Sequence, residues 1–242
     1  MEVVLKRIKT GGDALKNWKP GGDQTGKGLF VKEIEDALLA GEIDLAVHSM
    51  KDVPTQLLPG LTIAAITKRI DPRDVLISRG DLSLDELPQD ARVGTSSLRR
   101  KLQLLFYRRD LQIVPLRGNL DTRLRKLEEG EIDAIVVAAA GLMRLDWQNR
   151  ITQYLPYGIM LPAGGQGALG IEIREGDEEI KRMLQPLNDN DSQIVVTAER
   201  CFLRRLGGGC QVPVAALGQV QGKRLRLEAV VAASNGEKII RR

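Results

Sequence analysis

The sequence predicts an α/β protein: two similar lobes followed by a smaller third α/β unit. Three observations lead there. Helix-like and strand-like segments alternate along the chain, as they do in α/β folds. One phrase, a helix followed by Gly-Glu-Ile-Asp and an apolar strand, occurs twice, once at Gly41 and again at Gly130. The chain also has 242 residues, more than one small core needs, and typical domain sizes then give two or three domains.

Each element has a local reason. Residues 30–40 place apolar side chains at helical spacing, and Gly41 is a stop signal. Glu42-Ile43-Asp44 then leads into the strand Leu45-Ala46-Val47. In the second copy Leu120, Leu124 and Leu127 mark the helix, Gly130 ends it, and Ala134-Ile135-Val136-Val137 is the strand. Pro72 and Arg79-Gly80-Asp81 are expected between the lobes, and Leu161-Pro162-Ala163-Gly164-Gly165 at a second irregular crossing. Residues 191–206 read as a helix capped by Asp191 or Ser192 and stopped at Gly207, with Cys201 as a small core residue. Residues 224–230 alternate like a half-exposed strand, and Ile239-Ile240-Arg241-Arg242 reads as a strand cut short.

Composition narrows the class. Apolar residues make up 43 % and charged residues 28 %, the mix of a globular protein rather than of a disordered tail or coiled coil. Thirty-six Lys and Arg against 32 Asp and Glu leave a net charge of +4. Aromatics are only 3 %, which disfavours a reader of single-stranded nucleic acid, since such proteins stack bases on aromatic platforms. One His and two Cys cannot complete a four-ligand structural zinc site without carboxylates, so no metal is expected. No apolar run approaches the roughly 20 residues of a membrane span, and Met1 to Lys6 lack a signal-peptide layout. A reducing, cytoplasm-like compartment fits this pattern.

Three loops carry candidate chemistry. His48-Ser49-Met50-Lys51-Asp52-Val53-Pro54 follows a predicted strand, where loops of α/β sheets line the ligand crevice. There Lys51 and Asp52 put a cation and a carboxylate at one rim; the plain alternative is a surface ion pair in a turn. Val93-Gly94-Thr95-Ser96-Ser97-Leu98-Arg99-Arg100 is a strand, a small polar turn and a helix start, suited to an anion, and Arg117, Arg123 and Arg144 follow. It lacks the Gly-Lys-Ser/Thr ending of a P-loop. Arg108-Arg109 reads as a solvated helix face. Gly207-Gly208-Gly209-Cys210 places a thiol beside three glycines, near Arg204 and Arg205, whose charge favours a thiolate. Together these describe a cation-lined cleft for a polycarboxylate or phosphate ligand.

Six phrases in order resemble the porphobilinogen deaminase (hydroxymethylbilane synthase) family: residues 26–33, 48–54, 93–100, 116–119, 161–168 and 208–213. The resemblance implies two periplasmic-binding-protein-like lobes, residues 1–67 with 168–187 and residues 73–161, and a cofactor-attachment domain over 190–242. It implies a transferase that joins four porphobilinogen molecules head to tail into hydroxymethylbilane, releasing ammonia, on a dipyrromethane primer held covalently by Cys210. By the same match Asp52 is the catalytic carboxylate, stabilising positive charge on the pyrrole as ammonia leaves and assisting proton transfer. Lys51, Thr95, Ser97, Arg99, Arg100 and Arg123 would hold the acetate and propionate arms of the cofactor, Asp52 lying near its pyrrole nitrogens. Arg117, Arg144 and Gln166, with Arg123 again, would face the substrate. A cytoplasmic monomer, with neither nucleic acid nor membrane as partner, is implied. Each pyrrole carries two carboxylates, and charge-assisted hydrogen bonds of about 1.5–3 kcal/mol apiece need an arginine cluster of this kind.

The sequence also departs from the family. Members open with a strand and helix bearing an Arg-x-Ser motif ahead of the segment resembling residues 3–10, and end with a further helix in the third domain. Asp23, in the loop over 17–25, stands where many members have Lys. On this reading poor folding or weak activity is expected of the chain as written, and the alternative is a non-catalytic two-lobed fragment that binds pyrroles or carboxylates.

Overall fold

A computed structural model describes residues 3–8, 31–207, 213–233 and 236–242. The first predicted helix forms as α1 (Lys32–Leu39), burying Ala37 and Leu38. It stops where the sequence says. Gly41 takes φ +70°, its N–H donates to the Leu38 carbonyl at 3.0 Å, and the Glu42 N–H reaches back to Ala37 at 2.9 Å. This pair of bonds around a left-handed residue satisfies carbonyls the helix would leave open, and glycine adopts it without a Cβ penalty. β1 (Ala46–Ser49) and β2 (Leu61–Ile66) follow.

The chain then crosses into a second lobe: β3 (Asp74–Ser78), β4 (Arg92–Gly94), α2 (Leu98–Tyr107), β5 (Gln112–Val114), α3 (Leu120–Glu128), β6 (Ala134–Ala138), α4 (Ala139–Met143) and β7 (Gln153–Tyr154). Their five strands lie in the order β5-β4-β6-β3-β7, with β4 parallel to β5 and β6, and β3 antiparallel to β6 and β7. Both faces are covered. Leu76 and Val136 point into one core with Leu84, Leu104 and Met160; Val75, Ile77, Ile135 and Val137 point into another with Leu116, Leu124 and Leu142. Burial on both sides explains why these strands read as continuous apolar runs. α3 ends as α1 does, with Gly130 at φ +77° donating to Leu127 at 3.1 Å and Glu131 donating to Lys126 at 3.1 Å.

Two expectations need correction in this lobe. Arg79–Asp81 does not lie between the lobes: it is a tight turn after β3, inside the five-stranded unit, with the Arg79 N–H on the Asp133 carbonyl at 3.0 Å. Arg108 is not a solvated helix residue either. It follows α2 and donates to the carbonyls of Leu84 at 2.9 Å and Leu87 at 2.8 Å, tying down a loop whose backbone acceptors no helix or strand could satisfy.

The chain returns as β8 (Leu169–Arg174), which inserts between β1 and β2, antiparallel to both, and completes a three-stranded sheet in the first lobe. After α5 (Glu178–Leu184), helix α6 (Asn190–Arg205) packs on an antiparallel sheet of β9 (Val214–Gln221), β10 (Arg224–Ala232) and β11 (Ile239–Arg241). The cap of α6 is Asp189 rather than Asp191 or Ser192. Asp189 is the last extended residue, and its carboxylate accepts the Ser192 N–H at 2.9 Å. Cys201 is exposed, not core, because the buried stripe of α6 runs through Ser192, Val195, Val196 and Glu199 and leaves it off that face. Gly207, at φ +67°, is the predicted stop.

Candidate active site

The loop after β1 is fixed from beneath. The Asp52 N–H closes a turn onto the Ser49 carbonyl at 2.9 Å, and the Met50 N–H donates to Ala168 at 3.0 Å. Gly165, at φ +77°, lies flat on this loop: a Cβ there would sit 2.9 Å from the Met50 Cβ and 3.1 Å from its carbonyl carbon. Met50 is buried and Asp52 exposed, so the loop presents its carboxylate on a rigid base. Burial pushes the Lys51 ammonium below its ordinary pKa; Asp52 and Asp74 oppose that shift, while Arg100 and Arg99 add to it. These couplings place the loop of the first lobe opposite the start of α2 in the second.

The segment of the second lobe coupled to Lys51 begins at Gly94, where a Cβ would meet Leu116 at 2.8 Å and Ile132 at 2.9 Å. Packing thus requires the glycine, and the polar turn emerges directly from the core. The Thr95 hydroxyl accepts the Ser97 N–H at 3.2 Å, and the Ser97 hydroxyl caps α2 by accepting the Arg100 N–H at 3.4 Å. Arg99 and Arg100, in the first turn, are both buried and share one carboxylate, that of Asp74. Arg99 Nη1 donates to its Oδ2 at 2.7 Å and Arg100 Nη2 to its Oδ1 at 2.7 Å. Arg99 Nη1 also donates to the Leu161 carbonyl at 2.6 Å, and Arg100 Nη1 to that of Val136 at 3.1 Å. Burial alone would raise the Asp74 pKa; the charges and hydrogen bonds of Arg100 and Arg99 overcome it and hold the carboxyl well below the usual range. Burial, with the neighbouring Arg100, lowers the pKa of Arg99, its partner Asp74 opposing the shift.

Gln166 completes this node. Its Nε2 donates to the Pro72 carbonyl at 2.7 Å and to Asp74 Oδ1 at 3.0 Å, whereas its buried Oε1 has no partner among the described residues. Arg123 donates from Nε to the Gly118 carbonyl at 2.9 Å, and burial followed by repulsion from Arg100 depresses its pKa, which puts it beside the same cluster. Lys51, Arg99, Arg100 and Arg123 therefore form one electrostatically coupled cluster with the two carboxylates of Asp52 and Asp74. Arg144 stands apart, its Nη2 on the Gly167 carbonyl at 3.0 Å, and Arg117 is exposed at the rim of the second lobe. Cys210, with residues 26–30 and the loop containing Asp23, lies outside the described residues.

Family models match the chain over most of its length. The model described as porphobilinogen deaminase, dipyrromethane cofactor binding domain, matches residues 1–182, and that described as porphobilinogen deaminase, C-terminal domain, matches residues 193–242. The chain belongs to the porphobilinogen deaminase family. A porphobilinogen deaminase of Natranaerobius thermophilus is 52 % identical over 246 residues, covering 100 % of this chain and 78 % of its own length. That of Pelotomaculum thermopropionicum is 58 % identical over 215 residues, covering 89 % of this chain and 69 % of its own. Among solved structures, the periplasmic VFT2 domain of BvgS from Bordetella pertussis aligns with 71 % of this chain and 72 % of its own at 18 % identity and a TM-score of 0.41.

Membership in the deaminase family gives the cleft its cofactor, a dipyrromethane, and the residues on the page fit a group of that chemistry. A polycarboxylate needs several cationic donors at one place, and Lys51, Arg99, Arg100 and Arg123 supply them. The open acceptor of Gln166 suits a pyrrole N–H.

Two residues that sequence reasoning missed hold the site together. Asp74 is one. The other is Glu199, fully buried on α6. Its Oε1 accepts from Arg69 Nη1 at 2.6 Å and from the Gly218 N–H at 2.6 Å, and its Oε2 accepts the Gly165 N–H at 2.6 Å. One carboxylate thus ties both interlobe crossings to the third unit. The only signal in the sequence was a charge on the apolar stripe of a helix.

Proposed function

We propose that this chain condenses four porphobilinogen molecules into the linear tetrapyrrole hydroxymethylbilane, releasing ammonia at each addition, with Asp52 as its catalytic group. The observation that carries the reading is one cluster: the exposed Asp52 on a fixed loop, its neighbour Lys51 electrostatically coupled to Arg99 and Arg100, and those two buried guanidiniums anchored by Asp74. The dipyrromethane, bound through Cys210, supplies a nucleophilic pyrrole carbon. Lys51, Thr95, Ser97, Arg99, Arg100 and Arg123 hold its carboxylate arms; Arg117, Arg123, Arg144 and Gln166 orient the incoming substrate. Asp52 accepts a hydrogen bond from the substrate's pyrrole N–H, and its negative charge favours the cation that forms as ammonia departs. The same carboxylate would then accept the proton given up by the pyrrole carbon that forms the new carbon–carbon bond.

The units over 1–67 with 168–187, over 73–161 and over 190–242 divide this labour: reactive carboxylate, cationic wall and cofactor tether. We place the enzyme in the cytoplasm as a monomer, with porphobilinogen as its partner and neither nucleic acid nor membrane; no helix among the described residues is long and apolar enough to cross a bilayer. An intact-mass spectrum tests the reading. A mass excess equal to two linked pyrroles, absent from Cys210→Ser, together with ammonia release from porphobilinogen, is expected. A bare polypeptide mass and no turnover would overturn it.

A further inference from the structure

The loop that carries Asp52 is held from two sides, and only one belongs to the two-lobed frame. Upstream, Met50 is bonded to Ala168 and pressed by Gly165. Downstream, the hold comes from the third unit. Arg200 on α6 donates from Nη1 to the Val53 carbonyl at 2.9 Å and from Nη2 to the Pro54 carbonyl at 2.5 Å. Those are the two residues that follow Asp52. Val53 is itself buried, so its carbonyl has little access to water as a substitute partner.

We propose that Arg200 is a positioning residue that sets the place of the Asp52 carboxylate by holding the two residues that follow it. The inference rests on the functional reading above. A guanidinium suits the task because its two terminal nitrogens lie in one rigid plane and grip adjacent carbonyls as a fork, fixing both distance and orientation. Its neighbours keep it there. Glu172, on β8, favours the charged form against the burial that disfavours it and against the repulsion of Arg204. The preceding residue, Glu199, locks the same helix turn to the interlobe crossings. Along the chain, Cys210 follows Arg200 after the end of α6. The helix that leads to the tether is therefore the helix that grips the reactive loop. Each addition needs the carboxylate at the same place, and Arg200 fixes the two residues that follow it.

The test compares Arg200→Gln and Arg200→Lys with the wild-type chain, each checked by intact mass for the pyrrole addition and by thermal melt. Amide hydrogen exchange over residues 49–57 reads the loop directly, and exchange on the order of tenfold faster is expected in Arg200→Gln. In the same variant kcat should fall by on the order of 10²-fold with KM for porphobilinogen changed by less than about threefold, as for a misplaced rather than missing group. Arg200→Lys, which keeps the charge but not the fork, should recover part of kcat. Unchanged exchange in Arg200→Gln, or a kcat that returns to the wild-type value once corrected for the fraction carrying the mass addition, overturns the proposal. A wild-type chain with neither addition nor turnover overturns the functional reading first, and this proposal with it.

Discussion

In the first lobe Gly41-Glu42-Ile43-Asp44 carries the chain from α1 into β1; in the second, Gly130-Glu131-Ile132-Asp133 carries it from α3 into β6. The helix stops superimpose in kind, bond for bond, and an arginine supports each: Arg174 donates to the Leu38 and Ile43 carbonyls, Arg92 to that of Gly130. Beyond the stop the two copies diverge. β6 lies between β4 and β3 with Val136 at 1 % exposure, whereas β1 bonds only to β8 among the described strands and leaves the equivalent Val47 at 57 %. Asp133 grips Arg92 through its backbone N–H at 2.8 Å and its guanidinium at 2.9 Å; Asp44 reaches Arg174 at 3.1 Å and is largely exposed. Local sequence decides where a helix ends and a strand begins. Neighbouring strands decide what that strand is worth to stability. The division suits the proposed chemistry: the first lobe carries the exposed Asp52 loop, and the second buries two guanidiniums on the single carboxylate of Asp74.

The contrast can be broken most sharply at the reactive loop. Asp52→Ala should lower kcat by about 10²–10⁴-fold, the range for a lost general acid–base group, while the mass of the covalent addition stays in place. Normal turnover would remove the chemical role from the first lobe. Next comes the anchor of the second lobe. Asp74→Asn leaves Arg99 and Arg100 buried with no counter-charge and should cost about 3–5 kcal/mol in denaturant unfolding. The pH dependence has a definite sign. The folded pKa of Asp74 is depressed, so its contribution is complete above the ordinary carboxylate value of about 4 and drains away as pH falls toward the folded value. The wild-type chain should thus lose more stability between pH 5 and pH 2.5, roughly the window of this linkage, than Asp74→Asn does; equal losses would show that Asp74 is not the titrating anchor. The smallest effects sharpen the comparison itself. Val136→Ala should cost about 2 kcal/mol, and the equivalent Val47→Ala less than about 0.5 kcal/mol. Equal costs would mean that β1 is covered in solution.

What could be read from the sequence follows the same division. Glycine stops at 41, 130 and 207, the helix start after the polar turn at 94–97 and the strand starting near Ala134 were legible because each depends on a few adjacent residues. The loop at 48–54 and the turn at 94–100 were legible as motifs, and Lys51 of the first is electrostatically coupled to Arg99 and Arg100 at the end of the second. The partners of those motifs were not. Arg99 and Arg100 meet Asp74, Glu199 meets Arg69, and Arg200 meets Val53, each across a long stretch of chain and, for the last two, across units. A charge on a helix reads locally as a solvated face, and only tertiary packing reveals that it is buried and paired. Cys201 failed the other way: its residue type suggested burial, while its angular position on α6 put it outside.

The placement of β8 bears on the order in which the molecule can be made. Among the described strands β1 and β2 share no bonds with each other and each pairs with β8, which arrives about a hundred residues after β2. At ribosomal rates of about 5–20 residues per second, β1 and β2 wait several seconds for the strand that joins them, and the last strand of the second lobe, β7, is made before it. The lobe that begins first is thus finished later, and the nascent chain needs something to shield those strand edges in the interval.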